Sequence, residues 1–284
     1  MAQTAPIPTL SIGSRSIALD RPLIIGILNV TPDSFSDGGR FSAAAEAAQD
    51  HALTMLSAGA VMIDVGGEST RPGAVPVSEA EELRRVVPVV AMLAEAGASI
   101  SVDTRNAAVM AAALEAGAHV INDVSALRYD PRSIGLVARA GATVILMHAP
   151  GEGANLHAGG DYRDVVSDVF EFLRERRDAA IGAGVAREKI ILDPGIGFGK
   201  TLADNIALMN ALPRFHALGQ PLLVGASRKR MIGAMSRDES ADRRLGGSLA
   251  LALKAMDAGV QFHRVHDVAE TVQAANVWVG LRRG

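Results

Sequence analysis

The sequence predicts an α/β protein: a (β/α)8 TIM barrel in a single domain, preceded by a short N-terminal β-hairpin. Three observations predict it. A glycine recurs near the ends of successive Ala-rich stretches, at Gly59, Gly97, Gly117, Gly141, Gly184, Gly219 and Gly259. Glycine enters the left-handed region without steric cost and so commonly ends a helix. Each of these glycines is soon followed by a short run rich in Val, Ile and Leu, the pattern of a strand covered on both faces in a parallel sheet. With one further run before the first helix, eight strand–helix units fit into roughly 260 residues, the usual size of this barrel.

The elements follow in order. Thr9 to Leu19, with Gly13-Ser14 in its middle, reads as the hairpin. The strand runs are Leu23 to Leu28, Val61-Met62-Ile63, Ile100-Ser101-Val102, Val120-Ile121, Val144-Ile145-Leu146, Ile190-Ile191-Leu192, Leu222-Leu223-Val224 and Phe262 to Val265. Ser78 with Glu81 and Asp267 with Glu270 have capping-box spacing and mark helix starts. The last helix, Asp267 to Val279 with Trp278, is rich in Ala and Val and suits a subunit contact. A doubly wound open sheet is the competing arrangement. It would need a Gly-rich fingerprint after the first strand, which is missing. No linker interrupts the pattern, so one domain is expected over 1–284, with the hairpin in 1–21 and the barrel in 22–282.

Composition narrows the partners. Lys and Arg number 28 against 31 Asp and Glu, for a net charge of −3, and aromatics are 4% of the chain. That balance disfavours a general electrostatic affinity for nucleic acid or an anionic membrane, and the aromatics are too few for base-stacking platforms. With 0 Cys, disulfide scaffolds, thiolate zinc sites and cysteine nucleophiles are excluded. The first ten residues have neither the basic nor the apolar part of a signal peptide. No uncharged apolar run reaches the ~18 residues of a membrane span. A soluble cytoplasmic protein is expected, with no nucleic-acid or membrane partner.

In a barrel, chemistry sits where the strands end. Each apolar run here leads into residues that packing alone would not choose: Asn29, Asp64, Asp103, Asn122 with Asp123, His148, Asp193, Ser227-Arg228-Lys229, and Arg264 with His266. Polar groups on all eight strands predict one converging pocket of mixed charge, hence an enzyme acting on small molecules. Three of the following loops are long: 29–39, the Gly-rich 66–74 and the Gly-rich 193–200. Glycines let a backbone approach a ligand closely.

The segments G-I-L-N-V-T-P-D-S-F-S-D-G-G, D-V-G-G-E-S-T-R-P-G-A, I-N-D-V-S, L-D-P-G-I-G-F-G-K, S-R-K and R-V-H-D-V occur in this order over roughly residues 22 to 282. In them the chain resembles the dihydropteroate synthase family of pterin-binding enzymes. The resemblance implies condensation of a dihydropterin methyl diphosphate with 4-aminobenzoate. The products are dihydropteroate and diphosphate, in folate synthesis, from a barrel that is usually a homodimer. It implies Mg²⁺ held through Asn29 and the substrate's phosphate oxygens, and sensitivity to sulfonamides in the family.

The residues suit that chemistry. A pterin presents adjacent donors that one carboxylate can accept in parallel, a task for Asp193 or Asp103. The resemblance gives the amino-pyrimidine edge to Asp193 and the far side of the ring to Asp103, with Asn122 as donor and acceptor. Asp64 and Asp123 read as structural as readily as functional and stay outside the expected site. Growing charge on a diphosphate calls for cations and donors: Thr70, Arg71, Arg264 and His266. Arg264 and His266 are two apart, so on one strand they would point to the same side and grip one anion. Arg71 reads equally as a solvated loop charge.

Lys229 is expected at the pterin carbonyl, with Phe198 in the third loop beside the substrate. Ser227, placed at the start of the next helix, either binds the aminobenzoate carboxylate or caps that helix. Phe35 and Pro72 would wall the aminobenzoate slot. Lys229, Asp103, Arg264 and His266 are the expected catalytic set. Departure of diphosphate before attack, leaving a resonance-stabilised pterin methyl cation shielded by the first two loops, is the mechanism the resemblance favours. After Met147-His148 the chain departs from the family's common continuation with Ala149-Pro150-Gly151. His148 is therefore read as structural, His157 as solvated, and Arg230 as a position of small effect.

Overall fold

Side chains along a strand alternate between two faces, and in this protein that alternation separates core from chemistry. The computed structural model describes residues 8–13, 15–30, 41–68, 77–151 and 158–283. β1 (Thr9–Ile12) and β2 (Arg15–Ala18) pair antiparallel as the expected hairpin. β3 (Leu23–Asn29), β4 (Met62–Gly66), β5 (Ile100–Asp103), β6 (Val120–Asp123), β7 (Thr143–Met147), β8 (Ile190–Asp193), β9 (Leu223–Val224) and β10 (Phe262–Val265) form a parallel sheet. Its order is β8-β7-β6-β5-β4-β3-β10-β9. The first strand of the sheet lies between β4 and the last strand, which excludes the doubly wound alternative. A bridge from Leu192 to Leu222 joins the two ends into a barrel.

Around it stand α1 (Phe41–Ser57), α2 (Glu79–Glu95), α3 (Ala107–Glu115), α4 (Ser133–Ala140), α5 (Val165–Gly182), α6 (Leu202–Asn210), α7 (Leu212–Phe215), α8 (Arg230–Ala234), α9 (Leu245–Asp257) and α10 (Val268–Arg283). The seven marker glycines all have left-handed φ, from +59° to +107°. No described helix is long and apolar enough to cross a membrane.

Outward residues such as Ile63, Val65, Ile100, Val102, Ile121 and Leu192 pack beneath the helices. Inward, Leu23, Ile25, Met62, Val120, Ile145, Ile191, Leu223 and Phe262 fill the barrel and meet Leu10 and Ile12 of the hairpin. The hairpin therefore closes the end where the strands begin, and the Thr143 hydroxyl donates to Ser11 O at 2.8 Å. Two residues further along, the same inward face carries Asp64 after Met62, Asn122 after Val120, Asp193 after Ile191 and Arg264 after Phe262. The parity that fills the lower barrel with apolar groups thus delivers polar groups to its mouth.

The helix starts differ from expectation in detail. Ser78 accepts from Glu81 N at 3.3 Å, but the Glu81 carboxylate turns to Arg84 and Arg85, which leaves half a capping box. A complete box forms at Thr201 and Asp204, which the sequence reading did not mark. Asp267 gives both carboxylate oxygens to Arg228. α10 continues past Val279 to Arg283, and Trp278 Nε1 donates to Asp257 on α9 at 2.7 Å.

Candidate active site

The strand register sets one level of the mouth. Asn29 pairs with Gly66, Gly66 with Asp103, and Asp103 with Asn122, so three candidate residues share a rung across four strands. Because Gly66 has no side chain, the rung is open between Asn29 and Asp103. A Cβ there would stand 3.9 Å from Asn29 Oδ1 and 3.6 Å from Asp103 Cβ.

Arg264 organises the carboxylates. Its Nε donates to Asp64 Oδ2 at 2.5 Å and its Nη2 to Asp103 Oδ2 at 2.8 Å. Asn122 Nδ2 donates to the same Asp64 oxygen at 3.0 Å, while Asp64 Oδ1 is buried without a hydrogen-bond partner. Such an orphan acceptor costs free energy until a donor arrives. Asp64, left out of the expected site, is thus bonded to two residues that were expected in it, Arg264 and Asn122. The signal was a charge at the inward parity of an otherwise apolar run.

Burial opposes the guanidinium's charge, but Asp64 and Asp103 more than offset it and hold the Arg264 pKa above its ordinary value. One guanidinium serves two carboxylates, so burial prevails at Asp103 and raises its pKa to about 7 despite Arg264.

Asp193 ends β8 and accepts from Gly195 N at 2.7 Å. Burial raises its pKa to about 6, against the pull of that hydrogen bond and of Lys229. Lys229 lies with its Nζ 4.0 Å from the centre of the Phe198 ring, a cation–π contact. Burial and then Arg264 lower its pKa to about 8. Phe198 is held by a loop in which Gly195, Gly197 and Gly199 are all left-handed. Lys200 fastens that loop: its Nζ sits 2.9 Å from His148 Nδ1 and donates to the carbonyls of Gly195 and Phe198. Burial, then Lys200 and Arg128, push the His148 pKa down to about 2. His148 is thus a neutral acceptor in a structural clip, as expected; Lys200 had no expected role.

Two expectations are corrected. β10 ends at Val265, so His266 does not share its strand with Arg264, whose donors are placed on Asp64 and Asp103. His266 instead meets Ser227: Nδ1 lies 3.1 Å from Ser227 Oγ, and His266 N donates to that oxygen at 3.2 Å. Ser227 is also not at a helix start, because α8 begins at Arg230 with Lys229 as its N-cap. Asp123 is structural. Its carboxylate accepts from Ser125 N, Ser125 Oγ and Leu127 N and holds the left-handed turn at Ala126 and Leu127. Phe35, Thr70, Arg71, Pro72 and His157 lie outside the described residues. Arg230 is exposed at the start of α8.

Residues 25–266 match the family of pterin binding enzymes. The dihydropteroate synthase of Neisseria meningitidis serogroup C is 47% identical over 272 residues, 95% of this chain and 96% of the relative. The Escherichia coli K12 dihydropteroate synthase is 46% identical over 263 residues, 92% of each. The chain belongs to the dihydropteroate synthase family. Solved structures of the family agree. Xanthomonas albilineans dihydropteroate synthase with 4-aminobenzoic acid superposes with a TM-score of 0.92 at 47% identity, covering 98% of this chain and 100% of that one. The same enzyme in complex with 7,8-dihydropteroate gives 0.87 at 45% identity, with the same coverage.

Proposed function

We propose that this chain is a dihydropteroate synthase, condensing (7,8-dihydropterin-6-yl)methyl diphosphate with 4-aminobenzoate to give 7,8-dihydropteroate and diphosphate. The observation that carries the reading is the mouth itself. Asp64, Asp103, Asn122 and Asp193 gather around Arg264 and Lys229 at the strand ends, in a chain alike over nearly its whole length to an enzyme solved with that product.

In the reaction the methylene–oxygen bond to diphosphate breaks, the aryl nitrogen bonds to the methylene carbon, and the nitrogen loses a proton. Ionised Asp193 accepts from the amino-pyrimidine edge, Asn122 and Asp103 hold the ring, and protonated Lys229 meets the pterin carbonyl. Arg264 orients Asp64 and Asp103, and His266, with Thr70 and Arg71, receives the departing anion. Phe198, Phe35, Pro72 and Ser227 frame the aminobenzoate. Departure of diphosphate before attack suits a poor nucleophile and an electron-rich pterin.

Among the described residues no three His, Asp or Glu side chains converge to hold a metal ion. The neutral, hard amide oxygen of Asn29 at the rim nevertheless fits Mg²⁺ completed by water and substrate oxygens. Bound there, Mg²⁺ supplies positive charge to the leaving group. We extend the same reading to a cytoplasmic homodimer, for which the apolar Val277 and Leu281 exposed on α10 are suitable contacts.

The test is diphosphate release on mixing the protein with the pterin diphosphate and Mg²⁺, with and without 4-aminobenzoate. Release coupled to dihydropteroate formation is expected. Tight pterin binding without product would overturn the reading in favour of a silent pterin-binding relative.

A further inference from the structure

The segment that carries Ser227 and Lys229 has almost no sheet to hold it. β9 is two residues long and pairs with β10 only through Leu223 with Phe262 and Val224 with His263. Its other neighbour, β8, is joined through the Leu192–Leu222 bridge. From Gly225 onward the ladder no longer positions the chain, and the backbone groups need other partners.

They find them at Arg228. This residue has φ +57°, a left-handed conformation that costs a side chain with Cβ free energy and persists only where the surroundings enforce it. Its N–H donates to Ser248 Oγ at 3.0 Å and its carbonyl accepts from Arg244 Nη1 at 3.1 Å. Its guanidinium forks onto Asp267, with Nε 3.0 Å from Oδ2 and Nη2 on Oδ1. The bond between Ser227 and His266 is therefore followed, one residue along each chain, by the pair Arg228–Asp267. Two rungs tie the loop after β9 to the loop after β10. The first joins expected site residues, and the second lies outside the expected set.

We propose that Arg228 is a positioning residue for the condensation: its fork on Asp267 locks the left-handed turn that sets Ser227 against His266 and Lys229 against Phe198. The role depends on the geometry of Lys229. That side chain crosses Gly197, where a Cβ would come within 2.9 Å of Lys229 Cδ. A small rotation of the turn would thus break the fit to the Phe198 loop. Both carboxylate oxygens of Asp267 are taken up by this link, so the residue that precedes α10 holds the neighbouring loop.

The inference rests on the proposed synthase activity, and the experiment separates the two. The parent protein is assayed first; no turnover there refutes the activity, not the turn. With an active parent, Arg228→Gly, Arg228→Lys, Asp267→Asn and the pair Arg228→Gly/Asp267→Asn are compared for kcat, KM of each substrate, pH profile and melting temperature. Arg228→Gly adopts the same φ without strain, so it folds while losing the fork.

The expected result is about a tenfold or larger loss of kcat/KM for 4-aminobenzoate in Arg228→Gly and in Asp267→Asn, with no further loss in the pair, as for a displaced catalytic group. The alkaline limb set by Lys229 is expected to move up from about 8. Arg264, Asp103, Asp193 and Lys200 face that amine from β10, β5, β8 and the loop after β8 and are unchanged, so a move reports exposure of Lys229. Arg228→Lys, keeping one donor, should recover part of the rate. Lower melting temperature with unchanged kcat, KM and pH limb, or losses that add in the pair, would overturn the proposal.

Discussion

Arg264 and Asp64, 200 positions apart in the chain, meet at 2.5 Å between Nε and Oδ2 inside the barrel mouth. Asp64 is 1% exposed and the Arg264 side chain 18%, so the pair is largely shielded from water. Removing one partner of a buried pair leaves an uncompensated charge. Arg264→Leu should lower the unfolding free energy by about 3 kcal/mol, read from urea denaturation, because it strands both Asp64 and Asp103. Asp64→Asn should cost less stability but weaken pterin binding measured by calorimetry. Unchanged pterin affinity would remove Asp64 from the site.

Lys200 and His148 hold the third loop. Lys200→Met deletes the ammonium that three carbonyls and an imidazole surround. A loss of about 1–3 kcal/mol is expected, since the buried acceptors lose their donor. Amide hydrogen exchange should rise over 195–199 while the barrel strands stay protected. Exchange that rises evenly across the chain would show that the clip has no local role.

Gly195 tests the same loop through the backbone. Its φ is +70°, and a Cβ would stand 1.9 Å from the His148 carbonyl oxygen, an atom that cannot swing aside. Gly195→Ala combines left-handed strain of about 1–2 kcal/mol with a clash against main chain. It should destabilise more than Gly246→Ala, where nothing lies within 4 Å of the new atom. Comparing the two melting temperatures checks this.

With Asp193 accepting from the pterin as proposed, pterin binding should be pH-dependent. Burial holds its pKa at about 6, so below that value the empty site carries a protonated carboxyl with less accepting capacity. A ligand that needs the carboxylate must displace the proton. Affinity should therefore fall as pH drops below about 6, by at most about tenfold per unit for one group. The stability contribution has the opposite sign: it is fully present below the ordinary value near ~4 and is lost as pH rises through about 6. Asp103, raised to about 7, acts in the same direction. Calorimetry at pH 6 in two buffers of different ionisation enthalpy should detect proton release on pterin binding. Equal heats in both buffers would refute it.

Much of this was legible in the chain because it is local. Glycine at helix ends and β-branched runs report conformations that each segment adopts for its own steric reasons, and they placed the eight barrel strands correctly, as the Gly13-Ser14 turn placed the hairpin. The end of an apolar run is equally local, which is why Asp103, Asn122, Asp193 and Arg264 were expected at the mouth, where strand parity turns them inward. Asp64 obeyed the same parity, yet a single carboxylate in an apolar run reads as structural or functional until its partner is known. His266 was misplaced because whether a strand continues past Val265 depends on its neighbour, and β9 had already ended at Val224.

By itself, then, the sequence determined the order of elements, the barrel, which side chains face inward, and the inventory of carboxylates, amides and cations available to a pterin. The tertiary structure decided the pairings: Arg264 with Asp64 and Asp103, Lys200 with His148, Ser227 with His266, and Arg228 with Asp267. The physical reason is closure. Periodicity tells which face a residue takes, but the ring and its register bring β10 beside β3 and set which rung meets which. Contacts across that distance depend on the whole packed barrel, not on any one segment of the chain.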